Sequence, residues 1–81
     1  MSDERKILIV EDEPKIADTL KLGLTEHGYY VQVAYDGNIG LKFFEAHDYN
    51  LVILDINLPG LNGYELCKRI RSISPGVPII M

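Results

Sequence analysis

Uninterrupted apolar runs stand out in the hydrophobic pattern of this chain. Residues 6–10 and 51–54 are apolar in succession, apart from one lysine at the start of the first run. Such runs are typical of strands that are buried on both faces of a parallel sheet. Residues 30–34 and 77–81 are also rich in β-branched or other large apolar side chains. The pattern therefore predicts four strands.

Segments with helical periodicity separate these strands. A helix tolerates Pro14 in its first turn, and Gly28 predicts the end of that first helix. Asp36 is expected to open a second helix, and Asn62 to cap a third, with Glu65 completing a capping box. The apolar residues expected on the buried faces are Ile16, Ala17, Leu20 and Leu24 in the first helix, Gly40, Leu41 and Phe44 in the second, and Leu66, Cys67, Ile70 and Ile73 in the third.

The alternation of strands and helices, βαβαβαβ, favours an α/β fold with a parallel sheet and right-handed crossovers. The first and third strands are the longest buried runs, so we expect them side by side at the centre, in the strand order 2-1-3-4. Ligands bind such sheets in the crevice where the strand order reverses, here between strands 1 and 3. The same handedness places the first helix alone on one face. We therefore expect an uncovered apolar area beside it, on strands 3 and 4.

Composition narrows the function classes. A chain of 81 residues, of which 47% are hydrophobic, fits one small globular domain. A net charge of −4 argues against contact with nucleic acid. A single cysteine suggests a reducing compartment. Residues 1–6 do not resemble a signal peptide. No apolar run in the sequence is long enough to span a membrane. We therefore expect a cytoplasmic protein without membrane contact.

Carboxylates follow both central strands directly. Glu11 and Asp12 come after the first strand, and Asp55 comes after the third. Three carboxylates in one crevice repel each other unless a cation lies among them, and oxygen ligands alone favour a hard cation such as Mg²⁺. A carboxylate beside such a metal can also act as a nucleophile and form an aspartyl phosphate.

Each acidic group also has a plain structural explanation. Acids near a helix N-terminus satisfy free N–H groups, and an aspartate at a strand end often caps a turn. The joint arrangement favours a functional site, because both groups end adjacent central strands. His27 and His47 lie near predicted helix ends, and Cys67 lies on an apolar helix face. We expect structural roles for these three residues.

Two motifs together resemble the receiver domain of two-component response regulators. They are Ile-Leu-Ile-Val-Glu-Asp-Glu at residues 7–13 and Leu-Val-Ile-Leu-Asp-Ile-Asn-Leu-Pro-Gly-Leu-Asn-Gly at residues 51–63. The resemblance covers residues 1–81 and implies one receiver domain with a flavodoxin-like (CheY-like) fold. It also implies a role in a phosphorelay, with a sensor histidine kinase as partner and either an output domain or self-association beyond this segment.

The resemblance also implies roles for individual residues. Asp55 would be the phosphoacceptor. Asp12 and Asp55 would bind Mg²⁺ directly, Glu11 would do so through water, and the backbone carbonyl of Asn57 would be the remaining protein ligand. Such a domain is not an enzyme in the usual sense, since at most it catalyses its own phosphorylation and dephosphorylation.

The length departs from the family pattern. Receiver domains have roughly 120 residues, as expected of a one-domain unit. Their fifth strand, a Ser or Thr after the fourth strand and a Lys after the fifth would lie beyond Met81. We therefore expect a receiver that is truncated after its fourth strand. Because two contacts to the phosphoryl group are missing, we expect Asp55 to be modified at least about a hundredfold more slowly than in a longer chain.

Two alternatives remain. Phosphatases of the haloacid dehalogenase type also place a nucleophilic aspartate after an apolar strand, but they need a second aspartate two residues later, where this chain has Asn57. The other alternative is a truncated receiver fragment that acts only through assembly or domain exchange and is not competent for phosphotransfer. The exposed apolar area predicted on strands 3 and 4 would serve that role.

Overall fold

Strands and helices alternate in the computed structural model, which describes residues 5–81. The first four residues, on which part of the signal-peptide prediction rests, lie outside the described range. The elements are β1 (Lys6–Val10), α1 (Pro14–Glu26), β2 (Tyr30–Ala34), α2 (Gly37–Ala46), β3 (Leu51–Leu54), α3 (Gly63–Ile73) and β4 (Ile79–Ile80). Within this range no helix combines the length and the apolar character needed to cross a membrane.

The strands form one parallel sheet in the order β2-β1-β3-β4, as predicted. In the sheet register, Val10 at the end of β1 lies opposite both Ala34 of β2 and Leu54 of β3. The carboxyl ends of the two central strands therefore lie at the same height. Residues that directly follow Val10 and Leu54 emerge next to each other at one edge of the sheet.

Alternate residues of the central strands point to opposite faces of the sheet, and both faces are apolar. Leu8 and Val10 belong to a core cluster that includes Phe44 of α2 and Leu66 of α3. On the other face, the smaller cluster around Ile9 includes half-buried side chains from α1 and the neighbouring strands. Helices α2 and α3 therefore share one face, and α1 lies alone on the other among the described helices. The prediction from crossover handedness is confirmed.

Polar side chains start the second and third helices as the sequence predicts. Asp36 Oδ1 accepts a hydrogen bond from the amide of Ile39 at 2.7 Å, and Asn62 Oδ1 accepts one from the amide of Glu65 at 3.0 Å. The Glu65 carboxylate pairs with Arg69 Nε at 3.3 Å, one helical turn later. The cap on α3 is therefore made, but Glu65 binds along the helix instead of completing the capping box.

The predicted buried faces of α1 and α3 are partly wrong. Ile16 is 50% exposed and Leu20 is 36% exposed, because α1 packs mainly against β2 and β1 and has no helical neighbour on its face within residues 5–81. Ile73, in the last turn of α3, is 49% exposed, and Cys67 is half-buried instead of belonging to the core. Helical spacing shows which residues share a face, but the depth of burial depends on what covers that face.

The fourth strand is shorter than predicted. Only Ile79 and Ile80 pair with β3, whereas the sequence pattern extends over residues 77–81. Arg71 Nη1 donates hydrogen bonds to the carbonyl oxygens of Pro75 and Val77, so this stretch is held against the end of α3. Backbone carbonyls of this stretch are therefore already hydrogen-bonded to Arg71 before β4 begins.

Candidate functional site

The site lies at the carboxyl edge of the two central strands. Backbone hydrogen bonds continue the sheet for one residue beyond each strand. The amide of Glu11 donates to the carbonyl of Ala34 at 3.0 Å, and the amide of Asp55 donates to the carbonyl of Val10 at 3.1 Å. The two acids therefore leave the sheet from fixed positions on β1 and β3.

The structure brings together the three carboxylates that the sequence singles out. One carboxylate oxygen from each of Glu11, Asp12 and Asp55 lies within 4.8 Å of the other two. Glu11 and Asp55 are half-buried, and Asp12 is exposed. The amide of Glu13 donates to Glu11 Oε2 at 3.1 Å, which orients that side chain at the start of α1. The predicted convergence of these residues is confirmed.

Negative charge accumulates in this cluster. Burial raises the pKa of Glu11, the charges of Asp55 and Asp12 raise it further, and the hydrogen bond from Glu13 partly offsets these effects. A group whose ionised form is disfavoured by its neighbours gains stability when a cation binds among them. The donor set consists only of carboxylate oxygens, which suits a hard divalent cation such as Mg²⁺.

The loop after Asp55 is tightly organised. The carbonyl of Ile56 accepts from the amides of Leu58, at 3.1 Å, and Gly63, at 2.9 Å. Gly60 follows Pro59 and has a φ of +74°, which suits the second central position of a type II turn. Asn57 lies exposed within this loop, two residues after Asp55. Its role as a backbone ligand remains a prediction.

Sequence reasoning missed the anchor of this loop. Leu58 is only 7% exposed and belongs to the main core cluster, so the loop is held to the body of the domain by a buried side chain. The only signal in the sequence is a single large apolar residue between Asn57 and Pro59. Such isolated residues are common on protein surfaces and carry little information by themselves.

The two histidines lie at the C-terminal ends of helices. His27 is the C-cap residue of α1, and His47 is the C-cap residue of α2. The Nδ1 atom of His27 is 2.9 Å from the carbonyl oxygen of Gly23, and the ring of His47 lies edge-on to that of Tyr49. The positions of both histidines agree with the structural role predicted for them.

Comparison with known proteins decides the family. A family model described as the response regulator receiver domain matches residues 7–81 of this chain. The chain belongs to the response regulator receiver domain family. The alternative of a haloacid dehalogenase-type phosphatase is therefore set aside, and the resemblance found in the two sequence motifs is confirmed.

Relatives of this receiver domain include the transcriptional regulatory protein CusR of Escherichia coli K12. The two are 45% identical over 76 residues, which cover 94% of this chain and 34% of CusR. The chain thus spans about a third of the length of the curated relatives it matches.

Solved structures show the same fold. The response regulator TrrA of Thermotoga maritima, in complex with Mg²⁺-BeF, has a TM-score of 0.90 and 43% identity, covering 95% of this chain and 67% of that one. TrrA in complex with the histidine kinase ThkA has a TM-score of 0.86 and 43% identity, covering 93% and 65% of the two chains. The flavodoxin-like receiver fold predicted from the sequence is confirmed.

Proposed function

We propose that this receiver domain, residues 1–81, accepts a phosphoryl group on Asp55 from a sensor histidine kinase in the presence of Mg²⁺. The observation that carries the proposal is the convergence of the Glu11, Asp12 and Asp55 carboxylates at the ends of adjacent central strands. Two findings about a relative support it. TrrA has been solved with Mg²⁺-BeF and also in complex with the kinase ThkA.

The proposed metal ligands are Asp12, Asp55, the backbone carbonyl of Asn57 and, through water, Glu11. When bound, Mg²⁺ would neutralise charge on the carboxylates and on the incoming phosphoryl group. Asp55 is half-buried, and its backbone is fixed to β1 by the hydrogen bond that its amide donates to the carbonyl of Val10. Its Cα is therefore fixed at the end of β3 beside Glu11 and Asp12, and positioning of this kind is the main contribution that a protein makes to phosphoryl transfer.

The proposed reaction transfers one phosphoryl group from a histidine of the kinase to Asp55. An oxygen of the Asp55 carboxylate forms a bond to the phosphorus of a phosphohistidine as the P–N bond breaks, and the electron pair of that bond returns to the imidazole of the kinase. The product is an acyl phosphate on Asp55 and a neutral histidine after protonation. Acetyl phosphate offers the same phosphoryl group with acetate as the leaving group. We place this reaction in the cytoplasm, in keeping with the single cysteine.

The first test is a Mg²⁺ titration followed by amide chemical shifts. We expect weak binding, with a dissociation constant of about 1 mM, as found for exposed oxygen sites. The amides of Asp12, Asp55 and Asn57 should shift, and Asp55→Ala should abolish the effect. Asp48→Asn is a matched control, because Asp48 is an exposed acid in the loop after α2. Unmoved shifts in the folded wild-type protein would contradict the proposal.

The second test is modification by acetyl phosphate with Mg²⁺, followed by intact mass and peptide mapping. We expect a single phosphoryl group on Asp55 and none on Asp55→Asn, which keeps the size of the side chain but cannot form an acyl phosphate. The Asp48→Asn control should be modified like the wild type. Metal binding without any modification of Asp55 would favour the alternative of a fragment that acts only through assembly.

A further inference from the structure

The start of α2 lies against the loop that follows Asp55. The amide of Gly37 donates a hydrogen bond to the carbonyl of Pro59 at 3.2 Å. A Cβ atom placed on Gly37 would lie 1.7 Å from the carbonyl oxygen of Leu61 and 2.6 Å from its carbonyl carbon. Backbone atoms cannot rotate away as a side chain can. Any residue other than glycine at position 37 therefore displaces the loop or the helix.

A second contact joins the same two segments. Gly60 has a positive φ, and a Cβ there would lie 2.7 Å from the Nδ2 atom of Asn38. Asp36, immediately before the helix, is fixed by its bond to the amide of Ile39. The turn of the loop therefore lies against the capped start of α2 at two neighbouring positions.

The far end of the loop is equally close to Asp55. A Cβ on Gly63 would lie 2.2 Å from the carbonyl oxygen of Asp55, and the amide of Gly63 donates to the carbonyl of Ile56. One end of the loop is thus closed at Asp55, the proposed phosphoacceptor, and α2 supports the turn of the loop. Asn57 lies between these two fixed points.

We propose that Gly37 is a positioning residue for the metal site: by allowing the backbone of α2 to touch residues 59–61, it sets the position of the Asn57 carbonyl relative to Asp55. This inference rests on the proposed function, since it concerns the same metal site. Gly37 itself touches no ligand atom and acts through Pro59 and Leu61. Groups that orient metal ligands in this way typically change metal affinity when they are altered.

The test is the Mg²⁺ affinity of Gly37→Ala. We expect the dissociation constant to rise about 10-fold or more, the range found when support for metal ligands is removed. Gly23→Ala is the matched control, because no atom of the described residues lies within 4 Å of a Cβ added there. It should bind Mg²⁺ like the wild type. Circular dichroism and thermal unfolding of each variant separate a loss of affinity from a loss of fold.

The outcomes distinguish the inference from the proposed function. If the wild type binds Mg²⁺ and folded Gly37→Ala binds it equally well, Gly37 has no positioning role and the inference is overturned. If the wild type itself does not bind Mg²⁺, it is the proposed function that fails. Weaker binding in Gly37→Ala alone, with unchanged binding in Gly23→Ala, supports the inference.

If Gly37→Ala fails to fold, a measurement on the wild type tests the positioning role of Gly37 instead. Coupling between two sites is reciprocal, so a metal held by the loop should also stabilise the contact between the loop and α2. We expect Mg²⁺ to slow hydrogen exchange at the Gly37 amide more than at the amide of His47, which bonds to Phe43 at the other end of the same helix. Equal slowing at both amides would mean a general stabilisation and would overturn the inference.

Discussion

Glu11 carries a charge that the folded protein disfavours. Burial and the charges of Asp55 and Asp12 raise its pKa above the ordinary value of 4.5. A carboxyl group whose pKa is higher in the folded than in the unfolded chain destabilises the fold when it is ionised. This destabilisation is complete above the raised pKa, declines as the pH falls through it, and is absent below 4.5.

Glu11→Gln should therefore stabilise the metal-free protein at neutral pH, and the gain should vanish below pH 4.5. Millimolar Mg²⁺ should reduce or reverse the gain, because the wild type binds the cation more tightly and is stabilised by it. The measurement is the thermal midpoint with chelator and with Mg²⁺, at both pH values. Glu45→Gln, an exposed acid on α2, is the control. A gain of equal size at both pH values would contradict the explanation by charge.

At the scale of single residues, the sequence predicts the contacts that follow from local helix spacing or from the pairing of parallel strands. The caps by Asp36 and Asn62 were predictable because each cap and its partner are three residues apart. The convergence of Glu11 with Asp55 was predictable because parallel strands end at one edge of a sheet. The contact of Gly37 with Leu61 was not predictable, because it depends on how closely the start of α2 approaches the loop after Asp55, which neither helix spacing nor strand pairing specifies.

At the scale of secondary-structure elements, α2 lies close to the sheet at Gly40. A Cβ at this position would lie 2.8 Å and 3.0 Å from the two γ-methyl groups of Val10, which is fully buried. In a packed core such a methyl group forces neighbouring side chains from their preferred positions. Gly23 of α1 offers the opposite case, since no atom of residues 5–81 lies within 4 Å of an added Cβ.

The same substitution should therefore have opposite effects in the two helices. Gly40→Ala should lower the free energy of unfolding by about 1–3 kcal/mol, as overpacking does, despite the better helix propensity of alanine. Gly23→Ala should raise it by about 0.5–1 kcal/mol, because alanine is preferred over glycine within an exposed helix. Urea denaturation of both variants provides the measurement. If Gly40→Ala were also more stable, Val10 would have to move aside at little cost.

The elements themselves were largely predictable, and their burial was predictable only in part. Hydrophobic runs and helix caps predict each strand and helix in the correct order. Ile16 and Leu20 share the apolar side of α1 but stay at least a third exposed, because none of the described helices covers the space beside them. β4 is shorter than its apolar run, and at the start of that run the carbonyl of Val77 accepts a hydrogen bond from Arg71. Both differences arise from tertiary contacts, which local patterns do not record.

At the scale of the whole molecule, the two faces of the sheet are covered unequally. Helices α2 and α3 enclose the larger core cluster, whereas α1 alone covers the smaller one. Leu51 and Ile53 of β3 are only half-buried on the side of α1. In β4, at the edge of the described sheet, Ile80 is 55% exposed and pairs with Ile53. The predicted apolar area beside α1 is thus present in the structure.

We expect this apolar area to cause association of the 81-residue chain, since an edge strand offers unpaired backbone groups as well as apolar side chains. Ile80→Lys should weaken concentration-dependent association in light scattering and reduce the binding of a dye that reports apolar surface. The fold should survive, because the replaced side chain is more than half exposed. Leu22→Lys is the control, since Leu22 on α1 is 63% exposed and lies outside both core clusters. A monomeric wild type that binds no dye would show that this face is covered in solution.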